Sequence, residues 1–319
     1  MSEGNGIRGT IGVDIDPIDV HLAGYGLTSL NRDTIVYDVA VPRLLDIFAR
    51  HGMRATFFVL GRDAEAQGLL LRQMIAAGHE VADHSMTHPA ALARLRPDRL
   101  EVELVQSKAA IEAATGTEVI GFRSPNWDID RRLLHRLAAA GFAYDASTIP
   151  SPLLPALRFA IAARSRRPGL ALRLQLTPLS LRPGPRAYES QPKSITEFPI
   201  SVTRLTRLPI YHTMRAMIGD DDLERHLDGL RGRGLGLDYA IHAVDVLGLA
   251  EDAVDQRMAR HPGMTEPLSA KLALVERTLA AVATRFDAVP YRDRLAALAT
   301  VGASARGSDD FQASVIKPV

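Results

Sequence analysis

From Arg8 onward, short runs of β-branched and aromatic residues alternate with longer amphipathic patterns. This alternation restricts the chain to a mostly parallel sheet or barrel wrapped by helices. Extended runs are expected at Arg8–Asp14, Ala55–Leu60, Glu80–Asp83, Val119–Arg123, Phe142–Asp145, Ser194–Phe198, Asp238–His242 and Phe286–Pro290. Helices are expected at Val41–Arg50, Asp63–Ala77, Asp98–Ala114, from a cap at Asp128 to Ala140, at Leu268–Thr284 and near Tyr291–Thr300. Gly52, Gly78, Gly116 and Gly141 stand just past helix ends, as stop signals do.

Composition narrows the class. Of 319 residues, 46% are hydrophobic and 24% charged, enough apolar material for one large α/β domain. That domain is expected over residues 8–300, between tails at 1–7 and 301–319. The net charge of +1 offers no basis for nucleic-acid binding. The absence of cysteine excludes a disulfide scaffold and any thiolate metal site. The first residues are polar and glycine-rich, unlike a secretory leader, and no run approaches the roughly 18–20 apolar residues of a spanning helix. The expected location is the cytoplasm or the inner face of the membrane.

The chemically suggestive residues fall just after expected strands: Asp14 and Asp16, His84 and His88, Arg123, Asp145 and His242. In parallel barrels, groups at the C-terminal strand ends converge on one site. A carboxylate and two imidazoles can hold a catalytic metal with an open position. Histidines at i and i+4 lie on one side of a helical turn, Asp16 or Asp14 would be the third ligand, and the unliganded aspartate of the pair can act as a base. Two chemistries remain open: hydrolysis at a zinc-type ion, or oxygenation at a two-histidine, one-carboxylate iron.

The run Gly78-His79-Glu80-Val81-Ala82-Asp83-His84-Ser85-Met86-Thr87-His88-Pro89 resembles the histidine signature of the NodB-like polysaccharide deacetylases. Thr10–Pro17, Ala55–Gly61, Gly121–Trp127, Gly141–Ser147 and Ala240–Asp245 resemble the remaining motifs in family order. The resemblance spans about residues 8 to 300 and favours amide hydrolysis. It implies a distorted (β/α)7 barrel and one divalent metal ion, Zn2+ first. By position Asp14 would be the general base, and Asp16, His84 and His88 the metal ligands. Arg123 would pair with Asp14, and His242, partnered by Asp145, would be the general acid. A backbone N–H near Asn126 would help hold an oxyanion. The common motif has adjacent aspartates followed by glycine, whereas here Ile15 intervenes and Pro17 follows. Some members, the lipid-linked sugar deformylases among them, are similar in this spacing. The roles of the two aspartates are therefore interchangeable on sequence grounds.

Trp127, the only tryptophan, is either a sugar-stacking wall or ordinary packing. Glu197 and Asp245 stand near strand ends and are candidates to line the pocket. His79 reads as structural. His21, His51, His135, His212, His226 and His261 have no convergent context in the sequence.

Between Ser151 and Tyr188 the chain carries seven arginines (Arg158, Arg164, Arg166, Arg167, Arg173, Arg182 and Arg186) and no carboxylate, with leucines and prolines interleaved. Such an insertion, about 151–188, is either a solvated loop packed on the barrel, a contact for an anionic membrane surface, or a phosphate binder. The expected function is removal of an acetyl or formyl group from an N-acyl amino sugar, with a polyprenyl-phosphate-linked sugar as the leading substrate. The alternatives are a cytosolic amidohydrolase acting on a small non-sugar amide, and an inactive member that binds glycan or lipid.

Overall fold

The computed structural model describes residues 6–29, 33–156, 158–159, 179–188, 194–215 and 218–300. Both expected tails lie largely outside them, as do Arg164, Arg166, Arg167 and Arg173 of the insertion. The strands are β1 (Arg8–Asp14), β2 (Thr56–Val59), β3 (Glu80–Asp83), β4 (Gly121–Phe122), β5 (Tyr144–Asp145), β6 (Arg186–Tyr188), β7 (Ile195–Glu197), β8 (Asp238–His242) and β9 (Asp287–Ala288). They form one sheet in the order β6-β7-β5-β4-β3-β2-β1-β8, with β9 added at the start of β1. The path from β7 to β8 is wholly parallel, and β6 pairs antiparallel to β7 at the edge. This is the distorted (β/α)7 barrel.

Burial is nearly continuous along β1, β2, β3 and β8 because both faces are covered. Neighbouring phenylalanines on β2 show it. Phe57 faces outward, into the core shared with Phe48 and the helices, while Phe58 faces inward beside Tyr144, Phe198 and Tyr291. That inner cluster fills the barrel beneath the strand ends.

The helices are α1 (Ile18–Gly24), α2 (Val41–Arg50), α3 (Gly61–Ala76), α4 (Ser107–Thr115), α5 (Arg131–Ala139), α6 (Asp220–Arg231) and α7 (Leu268–Ala283); a helical segment at Pro97–Glu101 leads through a π turn into α4. Residues 291–300 are also helical. The bounds of β1, β3, β8 and α2 match the expected ones. Two sequence expectations need correction. The cap of α5 is Asp130, whose side chain accepts the Leu133 N–H at 2.7 Å. Asp128 instead is drawn into the interior, where it accepts the Ala93 N–H at 3.0 Å. Helix α6 was not anticipated, although three aspartates in its first turn and Leu223, Leu227 and Leu230 at helical spacing are a readable signature. Among the described residues, no helix is long and apolar enough to cross a membrane.

Candidate active site

Asp14 ends β1, and Asp16 follows two residues later, directly before α1. Asp16 Oδ1 lies 3.5 Å from His84 Nε2 and 3.6 Å from His88 Nε2. One donor atom from each of the three residues falls within 4.8 Å of the others. Asp16 Oδ1 is buried and meets no hydrogen-bond partner among the described residues. His84 Nδ1 is 2.7 Å from the Arg123 carbonyl, which makes it the donor there and leaves Nε2 as a lone pair facing Asp16. Burial holds the His84 imidazole below its ordinary pKa and takes His88 down to about 4, so both are neutral at pH 7. A buried, unsatisfied carboxylate oxygen facing two neutral imidazoles fits a divalent cation, and the oxygen and nitrogen donors suit zinc.

The two histidines do not sit on a helical turn. The chain after β3 is a loop in which Ser85 and His88 adopt left-handed backbone conformations, with φ of 72° and 59°. Such angles are costly for non-glycine residues and incompatible with a right-handed helix. Contacts from elsewhere impose them. Asp83 Oδ1 accepts the Ser85 N–H at 2.8 Å and the Ser107 hydroxyl at 2.7 Å. Ser85 Oγ accepts the His88 N–H at 3.1 Å, and buried Glu103 accepts the Thr87 N–H at 2.9 Å and its hydroxyl at 2.7 Å. Glu103 escaped the sequence reading because it sits in a helical, charge-rich stretch that looks like solvated surface.

Arg123 leaves β4 and runs into the barrel, 1% exposed. Its Nη1 donates to Asp14 Oδ1 at 2.7 Å and its Nε to the Ala146 carbonyl at 3.0 Å. The guanidinium lies 4.1 Å from the Phe58 ring centre and 4.8 Å from that of Trp127. Burial alone would raise the Asp14 pKa, but Arg123, with His84 and His242, outweighs it and holds the carboxyl below the usual range. His242 Nε2 stands 3.8 Å from the other oxygen, Asp14 Oδ2. Asp14 therefore lies between a permanent cation and an imidazole.

Asp145 is not the partner of His242. The buried His242 Nδ1 meets no hydrogen-bond partner among the described residues, and its Nε2 faces Asp14. Asp145 instead accepts the Ser147 hydroxyl at 2.6 Å, and Ser147 Oγ accepts the Ser124 N–H at 2.7 Å, which braces the loop after Arg123. Glu197 is its register neighbour on β7 and accepts the Thr148 N–H at 2.9 Å. Burial raises the pKa of both carboxyls, and that of Glu197 further because Asp145 is beside it. The carboxylate next to His242 is Asp245, which accepts the His242 backbone N–H at 2.9 Å.

Asn126 and Trp127 both have positive φ, 55° and 56°, in a turn closed by the Trp127 N–H on the Ser124 carbonyl at 3.0 Å. Asn126 is exposed and Trp127 half-buried. Arg158 of the insertion is buried, and its Nη2 donates to the Trp127 carbonyl at 2.7 Å, so this arginine packs on the site loop and is not solvated. His79 accepts the Ala55 N–H through Nδ1 at 3.0 Å, behind the sheet. Two histidines without context in the sequence do converge: His21 of α1 and His261 approach His242, with ring centres 6.1 Å apart for His21–His242 and 4.9 Å for His21–His261.

Residues 30–144 match the polysaccharide deacetylase family model. A peptidoglycan deacetylase of Helicobacter pylori is 30% identical over 148 residues, 45% of this chain and 50% of that protein. A chitooligosaccharide deacetylase of Sinorhizobium fredii is 35% identical over 150 residues, 46% of this chain and 63% of that protein. The chain thus spans between half and two thirds of the length of these relatives. The structure of a probable polysaccharide deacetylase from Pseudomonas aeruginosa has the same fold, with a TM-score of 0.56 at 15% identity, covering 91% of this chain and 89% of that one. The family-model match falls on the segments that carry His84, His88 and Arg123, and over that part the chain is similar to the polysaccharide deacetylases.

Proposed function

We propose that the chain is a metal-dependent hydrolase that removes an N-acyl group, acetyl or formyl, from an amino sugar. The observation that carries this reading is the convergence of Asp16, His84 and His88 donor atoms within 4.8 Å, beside an Asp14 held charged by Arg123. Asp16, His84 and His88 would hold a divalent cation, which would supply Lewis acidity toward an acyl oxygen. Asp14 takes a proton from the attacking water in this reading, which its ionised carboxyl and the oxygen left free of Arg123 support. The hydroxyl adds to the acyl carbon. The carbon–nitrogen bond then breaks as His242, across Asp14, gives a proton to the leaving nitrogen. The Asn126–Trp127 turn, where Asn126 Nδ2 donates to the Ala90 carbonyl at 3.4 Å just past His88, is assigned to the oxyanion and to the sugar ring, with Glu197 and Asp145 supporting the wall behind it. The curated relatives are named deacetylases of peptidoglycan and chitooligosaccharide, and that substrate class supports an amino sugar here.

The finer reading is a lipid-linked sugar met at an anionic membrane. Leu205 is 90% exposed at the tip of a turn bridged by Val202 and Pro209, and Arg204 and Arg207 flank it. Arg207 donates to the Leu181 carbonyl, which joins this tip to a second basic, apolar segment containing exposed Leu181 and Arg182. Basic residues around an exposed leucine favour an anionic interface.

The test is release of acetate or formate from free, nucleotide-linked and lipid-linked N-acyl amino sugars, with zinc and with chelator. Activity that depends on zinc and is lost in both His84→Ala and His88→Ala is expected; activity that survives either substitution undiminished overturns the metal assignment. Flotation with vesicles containing phosphatidylglycerol tests the membrane reading. Binding by the native chain that is lost in Leu205→Asp and in the Arg204→Glu, Arg207→Glu double variant is expected, and equal binding by all three removes it.

A further inference from the structure

His21 and His261 belong to none of the roles assigned above, yet His21 stands beside His242 and His261 beside His21. His261 is fixed by the Tyr25 hydroxyl, 3.2 Å from its Nδ1. The Nε2 atoms of His21 and His261 are both buried, and neither meets a hydrogen-bond partner among the described residues. Buried polar atoms are nearly always paired within the protein or with water, so two unpaired nitrogens in touching rings mark a place where a partner comes from outside. An ion is not that partner. Among the described residues only Asp16, His84 and His88 bring three ligand atoms within 4.8 Å of one another, and the second histidine cluster does not close on a point. Burial keeps both rings neutral at pH 7, with His261 taken down to about 4. A neutral imidazole nitrogen gives or takes one hydrogen bond, which suits a hydroxyl, itself both donor and acceptor.

We propose that His21 and His261 form a hydroxyl-recognition subsite that takes ring hydroxyls of the amino sugar on the leaving-nitrogen side of the scissile amide. The side follows from contact with His242, which faces that nitrogen, so the subsite rests on the amino-sugar reading above. Both residues are specificity determinants: they fix which hydroxyl pattern brings the amide nitrogen to His242.

The test measures binding without turnover. The N-acetylglucosamine trimer is titrated calorimetrically into the full chain in the presence of chelator, and the titration is repeated with a 3-deoxy analogue. His21→Ala and His261→Ala are expected to weaken trimer binding about tenfold. His261→Asn, which keeps a donor and an acceptor, should recover part of the loss, and wild type and variants should differ little on the hydroxyl they no longer read. If an alanine variant does not fold, as judged by circular dichroism, His21→Gln and His261→Asn carry the comparison. Equal trimer affinity in all variants overturns the subsite. So does amide turnover by a wild-type protein that binds no sugar, an outcome that leaves hydrolysis standing. Sugar binding that depends on both histidines in a protein with no turnover leaves the subsite standing and removes the hydrolase.

Discussion

Gly12 and Arg123 are in contact across the barrel: a Cβ built on Gly12 would stand 2.5 Å from Nη2 and 2.7 Å from Nη1 of the guanidinium. Glycine on β1 is what lets an arginine from β4 reach Asp14. Any side chain there pushes the cation away from the carboxylate, in a core with no slack. Gly12→Ala is therefore expected to cost about 1–3 kcal/mol of stability by overpacking and to lower kcat/KM at least tenfold. Urea unfolding and steady-state deacylation measure the two effects, and a variant of native activity would show that the Asp14–Arg123 contact is dispensable.

Arg123→Met addresses the same contact through pH. With Arg123 present, Asp14 sits below its ordinary pKa although burial pushes the other way. Without it, burial is opposed only by the histidines, and the carboxyl pKa rises. The acid limb of the kcat/KM profile should move to higher pH in the variant. At neutral pH the variant should lose stability, since breaking a buried ion pair from one side costs about 3–5 kcal/mol. A displaced acid limb identifies Asp14 as the titrating base; an unmoved one excludes it.

Much of this was readable in the chain, and the failures have a common cause. Strands β1 and β8 were legible because each carries buried β-prone residues up to a polar residue with chemistry, Asp14 and His242. The residues of the metal group were legible for the same reason. What local pattern could not supply was relation across the barrel. His84 and His88 have helical spacing, but Asp83, Ser107 and Glu103 bend their loop through left-handed angles. The motif order suggests Asp145 as the partner of His242, yet Asp145 accepts the Ser147 hydroxyl and His242 Nδ1 meets no hydrogen-bond partner among the described residues. His21 and His261 looked solitary because the loop that brings them together is closed by Tyr25, far from His261 in sequence.

Glu103 gives a direct measure of that loop's importance. Its carboxylate holds both the N–H and the hydroxyl of Thr87, one residue before His88. Groups behind metal ligands typically change affinity 10–100-fold when removed. Glu103→Ala should weaken zinc binding by about that factor, with the far-ultraviolet circular dichroism unchanged. Competition with a chromophoric chelator reads the affinity. Native affinity would mean that the loop keeps its left-handed turns without Glu103.

His79 lies in the same motif as His84 but acts on stability. It accepts the Ala55 N–H, and burial, aided by Arg54, takes its pKa from 6.5 to about 4. The unfolded chain therefore binds a proton that the folded chain does not between about pH 6.5 and 4. Its contribution is whole above pH 6.5 and is lost as pH falls toward 4. Within that window this one group makes stability fall by up to about 1.4 kcal/mol per pH unit. His79→Gln removes the titration, so the variant should be less stable than wild type at pH 7 yet show a shallower decline on acidification. Urea midpoints taken between pH 7 and 4.5 separate the two effects. Parallel declines would mean that His79 titrates alike in both states and that the acid sensitivity of the fold arises elsewhere.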